Sequence, residues 1–525
     1  MTGAPQMVSP STTSVLVVGA GPVGLTLALL LDQAGIDVTL IDRDTAPVEQ
    51  SRAIWVHSRT LEVWDTIGMT KLALAEGRAI YGIQMRTGGT PRATLPYDGT
   101  GTTAYPHALM IEQSRTQSLL LSLVEKSRIV FSWDTSLVGF SQDDTRCHAE
   151  LSTGAGHNSS VEASFVIGAD GGSSTVRQLL DIEFQGGTHN SSFFLADVIA
   201  HADLDPSMSY LNFQGRSTVA VLPLPGEGHF RLIGNLTDQS QEKSEAGYGR
   251  TLSNEEVRRL IEANSLPVTI ESIGWSSTYR THHRVASTFR LGRAVLVGDA
   301  GHLHSPAGGL GMNTGVADAA NLAFKIAGML DGAPERLLDS YIEERRFAAL
   351  QVVNTSDRLF VLQADVRRRY AFVRNRILPH VVRLITRMPA GKRVAFRILS
   401  GTSVHYPHIG VEGPRYGRLQ TGRLLPFSGN PAIDENPAIK KGKHLLLTIG
   451  VSEENRLGIT ALAQSRGWPV VSVSAGDGRL LTGRNHGPLV AWVRPDRYVG
   501  WIGRPTEELS MVLEKWLGSA NASTT

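Results

Sequence analysis

The sequence predicts an α/β protein in which a mostly parallel sheet is interrupted by an antiparallel sheet and followed by a smaller C-terminal unit. Three observations support this prediction. At three separate places, short β-branched runs lead into glycine turns and helices, which is typical of parallel sheets covered by helices. Before the last of these places, short alternating runs broken by Gly and Pro are typical of antiparallel strands. At 525 residues, the chain is long enough for two or three domains.

The first of these places, residues 15–43, organises the rest of the chain. Residues 15–18 are apolar and β-branched, as in a strand buried on both faces of a parallel sheet. Gly19, Gly21 and Gly24 follow with GxGxxG spacing. The first glycine allows a tight turn, the second lets the backbone approach a pyrophosphate, and the third lets the next helix pack closely. Because that helix begins where phosphate charge would meet its free amides, the order predicts a Rossmann-like dinucleotide site.

The segment after this helix supplies candidate polar contacts. A second apolar run, residues 36–41, ends at Asp42, where an acidic side chain accepts the hydroxyls of an adenosine ribose. Arg43 follows directly. Arg52 lies in a loop before a helix that is predicted from Arg59. The Arg52 guanidinium has two interpretations, a pyrophosphate clamp or a solvated loop charge, and both stay open.

Composition restricts the functions to consider. Lys plus Arg number 51 and Asp plus Glu 49, so the formal charge of +2 gives no reason to expect nucleic acid or an anionic membrane as a partner. Cys147 is the single cysteine, which excludes an internal disulfide, a CxxC redox pair and a cysteine zinc site. No N-terminal apolar run is long enough to span a bilayer. We therefore expect a cytoplasmic protein without nucleic-acid or membrane partners.

The second glycine turn follows a buried strand at residues 165–167 and reads GADGGSSTVR over residues 168–177. Asp170 stands at the carboxyl end of that strand, and Arg177 falls in the first turns of the next helix. Ligands bind at this edge of open α/β sheets. A capped helix start explains the same residues equally well, because Asp and Ser favour that position.

Two stretches predict a second sheet. Residues 81–105 are rich in Gly, Thr and Pro with alternating segments, and residues 184–284 continue in short alternating strands. Alternation of this kind predicts antiparallel pairing rather than a βαβ unit. We interpret this sheet as a separate layer for the substrate.

The third glycine turn lies within residues 293–330. A buried strand at residues 294–297 ends at Asp299, and a glycine-rich loop at residues 306–311 leads into a helix. The pattern places one apolar stripe on that helix, at Val316, Ala320, Ala323, Ala327 and Leu330. Asp299 is placed to accept hydroxyls of a polyol, and the positive helix end suits a developing anion. A further βα crossover without a ligand is the alternative.

After about residue 400 the pattern predicts a third unit. Residues 443–450, 468–476 and 489–503 contain strands, the last a hairpin that turns at residues 495–496. A final helix carries its apolar side chains at helical spacing and ends at Gly518, where a C-terminal cap belongs. Without a cysteine pair, this unit has no thiol chemistry.

Two sets of polar residues are assigned roles outside catalysis. The basic run VRRRYAFVRNR, residues 366–376, is interpreted as a solvated helix face rather than a nucleic-acid surface. The pairs His302 with His304 and His282 with His283 are interpreted as polar loop contacts, because no acidic residues share their spacing. The sequence therefore predicts no metal site.

Three motifs carry a family resemblance: GAGPVG at residues 19–24, GADGGSSTVR at 168–177, and GDAGHLHSPAGGLGMNTGVADAANL at 298–322. In this order they resemble the class A flavoprotein aromatic hydroxylases of the p-hydroxybenzoate hydroxylase fold, above all the branch of phenol hydroxylases and aromatic polyketide hydroxylases. The resemblance covers essentially the whole chain. It implies a Rossmann-like FAD-binding domain, an inserted antiparallel-sheet substrate domain and a thioredoxin-like C-terminal domain. The implied boundaries are residues 1–183 for the first part of the FAD-binding domain (with 80–107 adding to the substrate sheet), 184–284 for the substrate domain, 285–400 for the second part of the FAD-binding domain with the following helices, and 401–525 for the thioredoxin-like domain.

The resemblance also implies FAD as cofactor and NADH or NADPH as co-substrate. Asp42 would bind the adenosine ribose, and Arg52 and Gln113 would reach the pyrophosphate and ribityl regions, as would Asp299. Asp170 and Arg177 belong to a motif that is linked to both FAD and the nicotinamide nucleotide. The implied cofactor contacts are Gly19, Gly21, Pro22, Val23, Gly24, Asp42, Arg43, Arg52, Gln113, Asp170, Arg177, Asp299, Pro306, Gly309, Leu310, Gly311, Met312 and Asn313.

The implied reaction is hydroxylation of an aromatic substrate, phenolic and polycyclic or polyketide-like, by O2 through a flavin C4a-hydroperoxide. The helix end at residues 310–313 is the expected electrostatic element, and Pro306 is the expected wall of the oxygen pocket. No catalytic base is assigned. The expected partners are the small-molecule substrate and O2, and the chain is expected to be a monomer or a homodimer.

The chain departs from the family pattern at several positions. Gly301 replaces the usual Ala of GDAAH, and Leu310 stands where the branch commonly has Gln. Ile54 occupies the position at which phenol hydroxylases carry an Asp that helps activate a small phenol. Arg216 lies near the strand that carries a carboxylate-binding Arg in benzoate hydroxylases. Ile54, Arg216 and Tyr279 are the candidate substrate contacts. Ile54 and the lack of an evident carboxylate-binding residue favour a larger, apolar polycyclic phenol.

Other functions remain open at this stage. A flavin-dependent halogenase would need a GWxWxIP box, of which only Gly274 and Trp275 are present. Baeyer–Villiger oxygenation of a polycyclic ketone uses the same fold and is a stronger alternative. A non-catalytic flavin-binding redox module is the third.

Overall fold

The computed structural model describes residues 11–48, 53–236, 250–305, 308–364, 367–406, 415–505 and 508–519. Within these ranges the strands form sheets of eight, eight, four and three strands. None of the helices in the described part of the chain combines the length and the apolar character that crossing a membrane requires.

The strands of the described residues are numbered in chain order. They are β1 (Thr12–Val18), β2 (Val38–Ile41), β3 (Trp55–Val56), β4 (Arg78–Ile80), β5 (Gly82–Thr87), β6 (Thr90–Pro96), β7 (Ala108–Met110), β8 (Val130–Ser132), β9 (Thr135–Gln142), β10 (Cys147–Thr153), β11 (Asn158–Gly168), β12 (Phe184–Ala202), β13 (Met208–Gln214), β14 (Ser217–Pro223), β15 (His229–Asn235), β16 (Val268–Ala286), β17 (Arg290–Leu291), β18 (Ala294–Leu296), β19 (His302–Leu303), β20 (Leu445–Ile449), β21 (Val470–Val473), β22 (Leu489–Val493) and β23 (Val499–Gly503).

The α-helices of the same ranges are numbered likewise. They are α1 (Pro22–Gln33), α2 (Ser58–Thr66), α3 (Met69–Glu76), α4 (Gln113–Val124), α5 (Thr175–Leu179), α6 (Asn254–Glu262), α7 (Gly311–Leu330), α8 (Arg336–Tyr341), α9 (Phe347–Ala364), α10 (Arg368–Phe372), α11 (Leu378–Arg387), α12 (Pro389–Leu399), α13 (Pro431–Asp434), α14 (Pro437–Lys440), α15 (Glu453–Gln464), α16 (Ala475–Thr482) and α17 (Glu508–Leu517). A 3-10 turn spans Gly298–Ala300, and π-helical turns span Ile342–Arg346 and Val373–Ile377.

The first large sheet brings the three predicted glycine motifs together. Six of its eight strands follow the order β17, β18, β11, β1, β2 and β8, and the other two, β10 and β9, extend from β11. Strand β11 pairs in parallel with both β1 and β18. The ends of these strands are in register, since Val18 pairs with Gly168 and Gly168 pairs with Leu296. Three turns therefore leave the sheet at the same carboxyl edge, as the sequence predicts.

Helices α1 and α7 cross directly above this edge. A Cβ atom on Gly315 of α7 would lie 2.5 Å from a methyl group of Val23 of α1, so the crossing depends on the missing side chain. The apolar stripe predicted for α7 is buried or half-buried, but the burial extends further, because the helix is buried on nearly every side from Asn313 to Ile326. The polar residues Asp318 and Lys325 are buried with it, because other parts of the chain supply their partners.

The second large sheet, called the middle sheet here, has the order β19, β16, β12, β15, β14, β13, β5 and β6. The predicted antiparallel strands are present, and β5 and β6 join them as expected from residues 81–105. Two details differ from the prediction. The strands β12 and β16 run for 19 residues each, and β13 pairs with β5 in parallel, so the sheet is mixed. A long crossover between distant chain segments produces that parallel pair, which local alternation does not encode.

The C-terminal sheet has the order β21, β20, β22 and β23, with β20 parallel to β21 and antiparallel to β22. This mixed arrangement, with helices between the strands, matches the thioredoxin-like unit implied by the resemblance. The predicted hairpin joins β22 to β23, and Gly518 ends α17 with a left-handed φ of 75°. The β3, β7 and β4 strands form a small sheet that the sequence does not predict.

Candidate active site

The first and second glycine motifs touch at their backbones. Gly19 has a φ of 110°, and a Cβ atom there would lie 2.4 Å from the carbonyl oxygen of Ala169. The Ala169 N–H donates to the Val18 carbonyl at 2.8 Å. Only a glycine permits this approach, since any side chain would meet the neighbouring backbone.

The turn into α1 is tight on its inner side and open on its outer side. A Cβ atom on Gly24 would lie 1.9 Å from the Gly19 carbonyl oxygen, whereas one on Gly21 has no atom within 4 Å. Pro22 begins the helix, and no side chain caps its N-terminus. The first amide groups of α1 therefore face an uncrowded surface, which suits a phosphate group.

Asp42 lies beside this turn and is bonded to it. Its carboxylate accepts hydrogen bonds from the Ala20 N–H at 2.6 Å and the Asp44 N–H at 2.9 Å. Burial raises the pKa of Asp42 despite these two hydrogen bonds. The neighbouring Arg43 is exposed. The side chain of Gln117, which the sequence analysis missed, donates to the Ala20 carbonyl at 2.8 Å from the other side.

In the second motif, the two carboxylate oxygens of Asp170 have different surroundings. One carboxylate oxygen of Asp170 accepts the N–H groups of Thr175 at 2.7 Å and Val176 at 3.2 Å, as a helix cap does. The other oxygen is buried and has no partner among the described residues. Arg177 donates to the carbonyls of Ala300 at 3.0 Å and Gly172 at 2.8 Å, so it joins the second motif to the third.

In the third motif, Asp299 is exposed within the 3-10 turn Gly298–Ala300. Further on, Gly309 has a φ of 62°, and a Cβ atom there would lie 2.8 Å from the Trp55 Cβ atom. Leu310 precedes α7 without a capping side chain, and Gly311 and Met312 form its first turn. Among the residues that the structure describes, no capping side chain bonds the amide groups at this helix end, and the same holds at α1.

The side chain of Asn313 forms four hydrogen bonds at the start of α7. Its oxygen accepts the His57 N–H at 2.8 Å and the Thr60 hydroxyl at 2.6 Å. Its nitrogen donates to the carbonyls of Trp55 at 2.8 Å and Gly309 at 2.7 Å. All four bonds stay within the protein, so this side chain braces the segment 55–60 against the start of α7.

His57 and Tyr97 form a buried pair that the sequence analysis missed. The His57 Nε2–H donates to the Gly308 carbonyl at 2.9 Å, and Nδ1 accepts from the Tyr97 hydroxyl at 3.1 Å. Burial lowers the pKa of His57 to about 4, against the Gly308 hydrogen bond that favours the charged form. His57 is therefore neutral at pH 7 and holds the glycine loop by hydrogen bonding. His57 stands three residues after Ile54 in the sequence, but nothing local points to Tyr97.

Ile54 is buried in an apolar cluster. Its neighbours there include Ile80, Tyr97 and Leu224. The Ala53 N–H before it donates to the Gln113 side chain at 2.9 Å, so the predicted Gln113 positions this segment from the start of α4.

One face of the middle sheet looks toward this segment. Leu222 packs on the Ile54 cluster and is paired with Arg231 across β14 and β15. Arg231 forms a bidentate ion pair with Asp197 of β12, with both N–O distances at 2.6 Å. Tyr279 is half-buried on the same face, with its ring 5.8 Å from that of Phe193.

Arg216 is exposed in the turn between β13 and β14, next to the strand near which the sequence places it. Its role as a substrate contact stays a prediction, and the sequence analysis missed Arg231 of β15. Two calls lie outside the described residues, namely Arg52 and Pro306. Their roles stay predictions.

The edge fits a bound FAD on observations of its own residues. Two helix N-termini are uncapped at one edge, and Gly21 leaves open space where a pyrophosphate would lie. Two buried polar atoms, an Asp170 carboxylate oxygen and the Trp55 indole nitrogen, have no hydrogen-bond partner within the described ranges. Unpaired buried polar atoms are costly, so a polar ligand here would satisfy them.

Comparison with known proteins agrees with this geometry. Residues 12–356 match a protein family described as FAD binding domain. The chain is 34% identical to a 6-methylpretetramide 4-monooxygenase of Streptomyces rimosus, over 75% of this chain and 70% of that protein. It is 30% identical to a 12-dehydrotetracycline 5-monooxygenase/anhydrotetracycline 6-monooxygenase of Streptomyces rimosus subsp. rimosus, over 96% of this chain and 98% of that protein. The structure of OxyS anhydrotetracycline hydroxylase from Streptomyces rimosus superposes with a TM-score of 0.74 at 26% sequence identity. The superposition covers 97% of this chain and 100% of that one.

The chain belongs to the FAD binding domain family. It is an FAD-dependent aromatic monooxygenase, with FAD as its cofactor and a nicotinamide nucleotide as its co-substrate.

Behind the cofactor edge, the monooxygenase buries a first set of charges. Asp318 of α7 accepts from the Gly298 N–H at 3.0 Å, from His302 Nε2 at 2.7 Å and from Arg345 at 2.6 Å. Although burial opposes its ionisation, Arg345 and His302 keep the pKa of Asp318 below its usual value. His302 thus makes a polar contact, but from β19 rather than from a loop, and its acidic partner lies 16 positions away.

A second set of buried charges joins the FAD-binding region to the C-terminal hairpin. Arg494 forms a bidentate pair with Glu344 at 2.8 Å and a second pair with Asp496. Lys325 of α7 lies 3.1 Å from Glu344, and Asn321 donates to the same carboxylate. Burial opposes ionisation of Glu344, but Arg494 and Lys325 lower its pKa to about 2. The charged side chains of the β22–β23 hairpin are thus buried against the FAD-binding region of the monooxygenase.

One group of possible metal ligands occurs in the described part of the monooxygenase. Glu112, Asp197 and His229 have ligand atoms within 4.8 Å of one another. Both carboxylate oxygens of Asp197 already accept hydrogen bonds from Arg231. This group therefore stands as a polar cluster on the pocket-facing side of the middle sheet.

Proposed function

We propose that this monooxygenase hydroxylates a polycyclic phenol that lies between the middle sheet and the cofactor edge. The apolar cluster around Ile54 carries this proposal, because that position holds a phenol-activating carboxylate in phenol hydroxylases. An apolar wall favours a large ring system over a small, polar phenol. The relatives named for 6-methylpretetramide and anhydrotetracycline support a polyketide-like substrate.

We assign the cofactor contacts as follows. The N-terminus of α1 would hold the pyrophosphate, and Asp42 the adenosine ribose. The N-terminus of α7 would lie beside the isoalloxazine ring. When bound, FAD would supply the redox chemistry: with a hydride from NADH or NADPH and O2, one oxygen atom would be added to an aromatic carbon as a hydroxyl group and the other would leave as water.

The protein groups in this proposal orient and shield the reactants. The free amides of the first turn of α7 stabilise negative charge on the reduced ring. His57 and Asn313 hold the Gly308–Gly309 loop and the Trp55 segment in place, which keeps water from this side of the site. Arg231, buried and paired with Asp197, would stiffen the sheet face on which the substrate lies.

The test uses the FAD-loaded protein with NADH or NADPH, anhydrotetracycline as the polycyclic probe and phenol as the small counterpart. We expect nucleotide oxidation coupled to a new hydroxyl on an aromatic carbon of the large probe, with little coupling for phenol. Ring expansion to a lactone would favour the Baeyer–Villiger alternative. FAD binding without turnover on either probe would favour a redox module.

Neighbouring residues of β14 supply a matched pair of variants. Leu222→Ala changes the face that looks toward Ile54, whereas Val221→Ala changes the opposite face, which packs in the core under α6. We expect Leu222→Ala to raise KM for the polycyclic probe about tenfold and Val221→Ala to lower stability without changing KM. Equal KM values in the two variants would contradict the assigned pocket face.

We also propose a cytoplasmic location. The single Cys147 is buried and unpaired by any disulfide, which suits a reducing compartment. Size-exclusion chromatography with light scattering distinguishes the monomer from the homodimer.

A further inference from the structure

Helices α10, α11 and α12 form a basic segment between the FAD-binding region and the C-terminal sheet. Residues 367–399 contain ten Lys or Arg and no Asp or Glu, in a chain whose formal charge is only +2. The balanced total therefore hides a strong local excess of positive charge. The solvated helix face predicted for residues 366–376 is one part of this segment.

The inner sides of these helices are anchored in the protein. Leu378 and Val382 of α11 pack against Met85 and Phe213 of the middle sheet. Phe396 of α12 is buried in the apolar cluster that contains Ile54. The segment is therefore docked beside the proposed substrate pocket, and its orientation is set by these contacts.

The outer sides of the helices are apolar as well. Leu384 is 62% exposed, Phe372 61%, Val394 58% and Met388 52%. The full set of exposed large apolar side chains here is Phe372, Ile377, Val381, Leu384, Ile385, Met388, Val394 and Ile398. Because a Cβ atom on Gly391 would lie 2.2 Å from the Ile385 carbonyl oxygen, α11 and α12 abut closely and present one surface. Monomeric proteins rarely expose so many apolar side chains together.

Exposed cations surround these apolar side chains. They are Arg369, Arg376, Arg383, Arg387, Lys392, Arg393 and Arg397. The C-terminal unit adds to the excess, because burial and the nearby Arg397 and Arg393 lower the pKa of Arg418. We call this outer surface, residues 367–399, the basic apolar face.

We propose that the basic apolar face binds the surface of an anionic lipid bilayer. Helices with Lys and Arg beside exposed Leu, Phe and Val lie in the membrane interface, with the apolar side chains inserted and the cations at the headgroups. A second copy of this chain would bring like charges together, and a nucleic acid would leave the apolar side chains in water. Docking there would put the proposed pocket next to a phase in which an apolar aromatic compound dissolves.

The experiment uses the full chain loaded with FAD and vesicles of phosphatidylglycerol mixed with phosphatidylcholine, compared with phosphatidylcholine alone. We expect the protein to sediment with the anionic vesicles at low salt and to be released as the ionic strength rises. Absence of binding to the anionic vesicles would overturn the proposal. Equal binding to both vesicle types would also overturn it, because the charges would then play no part.

Two variants separate the contributions, and each has a matched control. Arg383→Gln with Arg387→Gln should lower the partition coefficient about thirtyfold, since each basic residue near the surface is worth about 1 kcal/mol. Leu384→Asn with Val394→Asn should lower it at least about tenfold. The controls, Arg479→Gln and Leu457→Asn, alter exposed residues of α16 and α15 and should bind like the unaltered protein.

Light scattering completes the test. If the unaltered protein is a dimer that Leu384→Asn with Val394→Asn converts to a monomer, a second copy covers this face and the membrane proposal is wrong. Unchanged oligomeric state together with lost vesicle binding supports it. Intact FAD absorbance and an unchanged unfolding midpoint would show that each variant folds.

Discussion

Two contacts along α7 differ in kind. In its N-terminal half, Gly315 packs against the Val23 side chain of α1, a few residues before the buried Asp318. Its C-terminal half carries Lys325 and Asn321 into the buried charges of Glu344 and Arg494. We call the contact of Gly315 with Val23 the glycine junction, and it depends on the missing side chain of Gly315. We call the contact of Lys325 and Asn321 with Glu344 and Arg494 the ionic junction, and it depends on the presence of every partner.

This difference has an energetic consequence. A side chain added at the glycine junction would overpack it and lower the stability of the protein. Neighbouring groups relieve part of this loss by shifting. Removing one charge from the ionic junction leaves its partners buried without compensation, which no small shift relieves. The ionic junction should therefore be the more sensitive one.

The largest expected effect comes from Arg494→Met. This change leaves Glu344 and Asp496 facing each other in the interior, so the free energy of unfolding should fall by about 4 kcal/mol. Urea unfolding, followed by tryptophan fluorescence, measures the loss. The control Arg456→Met removes an exposed pair with Glu453 and should change stability by less than about 0.5 kcal/mol. Similar losses for both variants would refute the distinction between the two junctions.

The second effect concerns acid stability at the cofactor edge. Because burial holds the folded pKa of His57 at about 4, the unfolded chain binds a proton first as the pH falls below 6.5. Stability that is complete above pH 6.5 should therefore fall by about 3 kcal/mol toward pH 4 through this group alone. His57→Gln keeps a donor for the Gly308 carbonyl and should flatten this part of the curve. An unchanged pH profile in the variant would show that His57 titrates normally.

The third effect tests the glycine turn that begins α1, the helix on which Gly315 packs. Gly24→Ala puts a Cβ atom against the Gly19 carbonyl oxygen, so we expect a loss of about 2 kcal/mol and weaker FAD binding. Gly458→Ala in α15 is the control, since a Cβ atom there meets nothing within 4 Å. It should stabilise the helix by up to about 1 kcal/mol. Thermal unfolding and FAD fluorescence titration follow both changes.

The smallest expected effect comes from Asp42→Asn. The change keeps one acceptor for the Ala20 N–H and removes a charge that burial disfavours, so stability should change little. The Kd for FAD should rise about tenfold if the carboxylate binds the ribose hydroxyls. Asp44→Asn, at an exposed neighbour, serves as the control. Equal Kd values for both variants would remove Asp42 from the cofactor site.

Several elements are encoded locally, and the sequence alone predicts them. The three glycine turns follow β-branched strands whose parallel pairing is required by helical crossovers, so their common edge follows from the order of the motifs. The hairpin at residues 495–496 and the cap at Gly518 depend on turn residues that stand next to one another in the chain. Local backbone preferences are sufficient for each of these.

Other features were decided only by tertiary structure. The pairs His57 with Tyr97, Arg231 with Asp197 and Arg494 with Glu344 join residues that are 40, 34 and 150 positions apart. Arg231 could not be singled out for the same reason, because strand register, and not distance along the chain, determines which side chains share a face of the sheet. The sequence by itself determined where the glycine turns lie, since these turns act through their own backbone. Only the folded chain determined how charges and hydrogen bonds are paired, because each buried polar group takes its partner from whichever distant segment packs against it.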